Sequence, residues 1–112
     1  MSNTSERYKL YRYCSFKTSK TITQEYSTSF YAATDMFPAD MRDAIHSIYG
    51  FVRIADEIVD SFHEHDREKL LRDFERDYDE AYRMGISTNP ILYSFQWTVK
   101  QYNIPDEYIR SF

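Results

Sequence analysis

Cysteine, glycine and proline are all scarce in this 112-residue chain, with one, two and three residues respectively. A single cysteine, Cys14, excludes an internal disulfide and points to a reducing, intracellular setting in which the thiol is a small packing residue. So few turn-forming residues argue against a strand-and-turn architecture and for long helices. Basic residues are in deficit too. Fourteen Lys and Arg against eighteen Asp and Glu leave a net charge of −4, which is no footprint for nucleic acid. The polar opening, Met1 to Glu6, lacks the apolar core of a signal peptide, and no segment approaches the roughly 20 apolar residues of a membrane span. There is no internal repeat, low-complexity tract or domain linker. These absences predict an all-α cytoplasmic protein, with peripheral membrane contact left open.

Aromatic residues are plentiful, led by eleven tyrosines, and they occupy many of the apolar positions in five to six helical segments. Residues 1–6 read as a frayed terminus. Residues 7–17 read as a short helix with Leu10, Cys14 and Tyr13 inward. Thr18 or Ser19 is then placed to cap a second helix reaching Asp35. This helix is rich in Thr21, Thr23, Ser27, Thr28 and Ser29, poor helix-interior residues whose hydroxyls suit phosphate oxygens. Met36-Phe37-Pro38-Ala39-Asp40 breaks it, and Asp40 is the expected N-cap of a third helix from Met41 to about Ser61 or Phe62. His46 reads as a packing or surface residue. His63-Glu64-His65-Asp66 resembles a metal site only superficially, since two histidines two apart share no helical face. It reads as a solvated linker whose Asp66 caps a fourth helix with Leu70, Leu71, Phe74, Tyr78 and Ala81 buried. Gly85 suits a left-handed C-cap and Pro90 a first helical turn. Ile91, Leu92, Phe95, Val99 and Tyr102 form the seam of the fifth helix, with Trp97 a packing residue, and Asn103-Ile104-Pro105-Asp106 opens a last helix that runs to Phe112.

The third helix carries the chemistry. Tyr49, Arg53, Asp56 and Asp60 are spaced by four, three and four, so they line one narrow stripe. Ile45, Ile48, Val52, Ala55, Val59 and Phe62 form the expected apolar face beside it, while Glu57 turns away from the acidic pair. Charge inside an apolar run is costly unless it is paired. An i,i+3 Arg–Asp pair would meet that need without any ligand. Two carboxylates on one face also suit a hard divalent cation; Mg²⁺ fits best, with Mn²⁺ as a substitute, because it takes one or two carboxylates together with water and phosphate. Arg53 would face the anion that the cation carries.

The run Tyr49-Gly50-Phe51-Val52-Arg53-Ile54-Ala55-Asp56-Glu57-Ile58-Val59-Asp60 resembles the first aspartate-rich motif of the squalene/phytoene synthase family. Tyr26-Ser27-Thr28-Ser29-Phe30-Tyr31 resembles that family's Ser-x-Ser-Phe element, and Phe37, Pro38 and Arg42 match its hydrophobic-Pro-x-x-x-Arg junction. The resemblance implies an isoprenoid-synthase helical bundle around a deep cavity. It covers residues from about Tyr13 to Phe112, under half of a complete enzyme, and after Asp60 the acidic residues fall in capping or charge-paired positions, so no second aspartate-rich motif of that kind is read. Residues 1–112 are therefore expected to be the N-terminal part of one domain, a fragment inactive alone.

By the same resemblance, the substrates are two prenyl diphosphates. Ionising one gives an allylic cation that the second attacks, forming a cyclopropyl intermediate that rearranges to the linear product. Asp56 and Asp60 would be metal ligands, Ser27, Ser29 and Arg53 diphosphate contacts, and Tyr26, Phe30 and Tyr49 cavity wall. Tyr26, in place of the histidine often found there in bacterial dehydrosqualene synthases, makes the wording most like phytoene synthases of carotenoid biosynthesis. Squalene or dehydrosqualene synthase, joining C15 units, is the alternative, and a non-catalytic helical interaction protein of the same fold is another. Use of a nicotinamide cofactor and the oligomeric state stay open.

Overall fold

Six helices and no strand make up residues 2–111, the part that the computed structural model describes: α1 (Ser2–Tyr26), α2 (Thr28–Thr34), α3 (Ala39–Asp60), α4 (Arg67–Met84), α5 (Pro90–Tyr102) and α6 (Asp106–Arg110). The fold is all-α. No described helix is long and apolar enough to cross a membrane. Met1, within the expected frayed terminus, and Phe112, at the end of the expected last helix, lie outside the described residues.

The first 26 residues depart most from expectation. α1 runs unbroken through the expected frayed segment and through Thr18 and Ser19, so neither of those residues is a cap. Leu10, Tyr13 and Cys14 are exposed, and the inward stripe is Ser15, Ser19 and Thr23, all fully buried. These hydroxyls persist in a helix because each finds a partner: Ser15 and Thr23 donate back to the carbonyls of Tyr11 and Ser19, Ser19 pairs with Ser94, and the exposed Thr18 and Thr21 likewise donate to Cys14 and Lys17. Small side chains let α1 approach α3 and α5 closely. Ser19 Oγ lies 2.8 Å from Ser94 Oγ, and across the α3–α5 contact Ser47 Oγ lies 2.6 Å from Thr98 Oγ1. Gly50 belongs to this seam, since a β-carbon there would come within 3.1 Å of Ser19 Oγ.

The apolar core lies on the other side of α3. Phe51 stacks on Phe95 at 4.0 Å and on Phe74 at 5.3 Å, with Ile58, Tyr78, Ala81, Leu92 and Val99 around them. Each such aromatic contributes about 1.5–3 kcal/mol by burial. The inward face of α3 is thus Ala44, Ser47, Phe51 and Ile58. The expected apolar face is rotated away from it: Ile48, Val59 and Phe62 are exposed, while Val52 and Ala55 touch the core only from its edge. Leu70, Leu71 and Tyr102 are likewise exposed, whereas Phe74, Tyr78, Ala81, Ile91, Leu92, Phe95 and Val99 are buried as expected.

The helix ends follow local chemistry. Asp66 accepts from Lys69 N at 3.0 Å, Asn89 accepts from Ile91 N and Leu92 N, and Gly85 and Asn103 stop α4 and α5 in left-handed conformations. Asp40 does not cap α3; the cap position is Pro38, and Asp40 sits in the first turn, where its charge still suits the helix dipole. The 61–66 connector is exposed throughout. Arg110 ties α6 to α4 through Glu75 and Asp79, and Ile109 is buried beneath it.

Candidate functional site

One unexpected break sets the site. The backbone leaves α1 at Ser27, whose side chain accepts from Phe30 N at 3.2 Å and so caps α2. The cap turns α2 over α3 and lays Phe30 on Tyr49, with ring centroids 5.2 Å apart and planes 23° apart. Tyr31, the next residue, stacks at 5.5 Å on His46, one turn before Tyr49 in α3. Thr34 Oγ1 donates to the Tyr31 carbonyl and sits 3.1 Å from His46 Nε2, which assigns the proton to that ring nitrogen. His46 is a buried packing residue, and burial holds its pKa below the ordinary histidine value.

Arg53 lies one helical turn from Tyr49. Its guanidinium carbon is 5.3 Å from the Tyr26 ring centroid, a cation–π arrangement. Its Nη2 is 3.1 Å from Glu57 Oε1, and both side chains are largely buried. Arg53 Nε is buried with no acceptor, so one donor of the fork is unspent. Arg53 does not pair with Asp56. Glu57 was not singled out by the sequence, although its i,i+4 spacing from Arg53 was a readable signal.

Asp56 is half-buried and opens on a groove of about 270 Å³ between α3, α4 and α6, walled by Phe51, Ala55, Val59, Phe74 and Tyr78. Burial pushes the Tyr78 hydroxyl up to about 12, so this side chain stays neutral, while Glu75 and Arg110 also line the groove. Asp60 is exposed in the last turn of α3 and is not part of the groove lining. Neither aspartate forms an ion pair among the described residues, even though Arg53 is a turn away. No group of three or more metal-ligating side chains occurs among those residues. The available set is two oxygen donors on one helix without a protein cation, which fits a hard divalent ion that keeps water and phosphate as its other ligands.

The structure therefore brings Tyr26, Phe30, Tyr49 and Arg53 together. By helical rotation Asp56 sits about 60° from Arg53, between this patch and the apolar groove. Ser27 is partly buried at the α1–α2 break and Ser29 is exposed on α2. Thr21 bonds within α1, and Thr23 donates to the Ser19 carbonyl with the His46 carbonyl of α3 3.5 Å away.

Comparison with known proteins gives one match. The family model described as squalene/phytoene synthase aligns with residues 23–112, which takes in the α1–α2 break and all of the helices after it. No curated protein and no solved structure matches the chain.

Proposed function

The chain belongs to the squalene/phytoene synthase family, whose chemistry is head-to-head prenyl transfer, and from that premise we propose that its reaction joins two geranylgeranyl diphosphates to phytoene with release of diphosphate. The observation that carries the site reading is the packing of the Ser27–Phe30 segment onto the acidic helix through Phe30 and Tyr49, with Tyr26 against Arg53. The C20 assignment rests on Tyr26 and on the wording of the Tyr49–Asp60 run, both most like phytoene synthases.

In this reading Asp56 and Asp60 hold Mg²⁺, which when bound supplies charge neutralisation for a departing diphosphate. Arg53 contributes a fixed positive charge beside it, and Ser27 and Ser29 offer hydroxyl donors without further charge. Phe30, Tyr49 and Tyr26 present aromatic faces to a developing allylic cation and keep water from it. The groove beside Asp56 is mostly apolar, as an isoprenoid tail requires, with Glu75 and Arg110 the other charged residues of its lining.

Calorimetric binding of geranylgeranyl and farnesyl diphosphates, each with Mg²⁺, tests the assignment without relying on turnover. Tighter binding of the C20 compound is expected. Preference for the C15 compound moves the protein to the squalene or dehydrosqualene class.

A further inference from the structure

Arg53 has two carboxylates within helical reach: Asp56 at i+3 and Glu57 at i+4. It takes Glu57, at 3.1 Å, and its flat side rests on Tyr26. The guanidinium is three-quarters buried, with 24% of the side chain exposed, so it is costly to leave without an acceptor. An arginine seated on Asp56 would occupy the carboxylate oxygens that a divalent cation needs. We propose that Glu57 is a positioning residue: it holds Arg53 away from Asp56 and so keeps the Asp56 carboxylate open to a divalent cation. Glu57 touches neither cation nor substrate in this scheme; it acts through Arg53. The buried Arg53 Nε, which has no acceptor, is in keeping with a guanidinium held by Glu57 and Tyr26 and not turned toward Asp56.

The inference rests on the assignment of Asp56 and Asp60 as cation ligands, and the experiment separates the two. Mn²⁺ binding to the full chain, without pyrophosphate so that the anion contact of Arg53 plays no part, is followed by electron paramagnetic resonance. Asp56→Asn abolishes binding if the ligand assignment is right. Glu57→Gln, close in size and shape to the parent, should weaken Mn²⁺ roughly fivefold, the factor that a partly exposed ion pair is worth when it competes. The double variant Arg53→Gln, Glu57→Gln removes the competitor and should return affinity close to that of the parent. Glu64→Gln, which deletes a negative charge in the exposed connector, controls for a general loss of acidity. Unchanged binding in Glu57→Gln, an equal loss in Glu64→Gln, or no recovery in the double variant overturns the positioning role while leaving Asp56 as a ligand. Undiminished binding in Asp56→Asn, or none in the parent, overturns the ligand assignment and the inference with it.

Discussion

Phe30 of α2 stacks on Tyr49 of α3 with ring centroids 5.2 Å apart, and this pair holds a seven-residue helix against the acidic one. An offset aromatic stack adds about 0.5–1.5 kcal/mol beyond burial, a large share for so short an element. Whatever fixes α2 therefore also fixes Ser29 and Phe30 relative to Arg53.

Ser27 and Ser29 should consequently behave differently. Ser27→Ala removes the α2 cap and should cost about 1 kcal/mol of stability, seen as a lower melting temperature, along with weaker pyrophosphate binding. Ser29→Ala, on an exposed position, should leave the melt unchanged and weaken pyrophosphate alone. Equal melting losses in both would show that α2 is not held by the Ser27 cap.

Arg53→Lys keeps the charge but loses the planar fork that reaches Glu57 while lying on Tyr26. Affinity for pyrophosphate with Mg²⁺ should fall, beyond what charge retention suggests, since a point-charge ammonium replaces the two parallel N–H donors of the fork. Titration calorimetry of the two proteins decides it; equal affinities make Arg53 structural.

His46 makes stability depend on pH. Burial lowers its pKa in the fold below the ordinary 6.5, so the unfolded chain binds the proton more readily. Its contribution is intact above pH 6.5 and is lost as pH falls from there toward the folded value. Lys20 and Arg42 push in the same direction as burial, while Asp43 and Asp35 oppose it. Melting temperature should drop between pH 7 and pH 5.5, and less so in His46→Gln, which can still donate to Thr34. An equal drop in both proteins would assign the effect elsewhere.

Gly50→Ala sets about 1 kcal/mol of gained helix propensity against overpacking of roughly 1–3 kcal/mol where the new methyl meets Ser19. A net loss of about 1 kcal/mol is expected in denaturant titrations. Adding Ser19→Gly should relieve the clash, and a double variant no more stable than Gly50→Ala counts against this explanation.

A single acidic pair leaves much of a pyrophosphate's charge uncompensated. Residues 1–112 alone, given geranylgeranyl diphosphate and Mg²⁺, should yield no C40 hydrocarbon over many turnovers. Sustained product would mean that carboxylates from a second copy complete the site. Where turnover is measurable, Asp56→Asn should remove most of it while preserving the fold, because it deletes charge at constant volume.

The boundaries of α4 and α5 were legible because they rest on local chemistry, with Asp66, Gly85, Asn89 and Pro90 acting within a turn of themselves, whereas α3 starts at Ala39 behind Pro38 and not behind Asp40. The α1 boundary was not legible. Thr18 and Ser19 look like caps, yet the Thr18 hydroxyl turns back onto the Cys14 carbonyl and the Ser19 hydroxyl meets Ser94 across the α1–α5 contact, so the helix runs through both. The rotation of α3 was misjudged for a related reason. Counting apolar side chains favours Ile45, Ile48 and Val59, whereas the inward face is partly built from Ala44, Ser47 and Gly50, whose value is smallness. The site stripe itself was legible as spacing. The choice of Glu57 over Asp56 by Arg53 was not, since both lie within reach on a helix.

The seam of Ser15, Ser19, Thr23, Ser47, Ser94 and Thr98 also gives the molecule two unlike responses to cooling. Exposure of apolar surface raises heat capacity and exposure of polar surface lowers it. The Phe51–Phe74–Phe95 side is held by a force that weakens as temperature falls. α1, held by hydroxyl pairs and close backbone approach, does not share that weakening. The apolar contacts of α4 should therefore weaken on cooling more than the hydroxyl seam of α1 does.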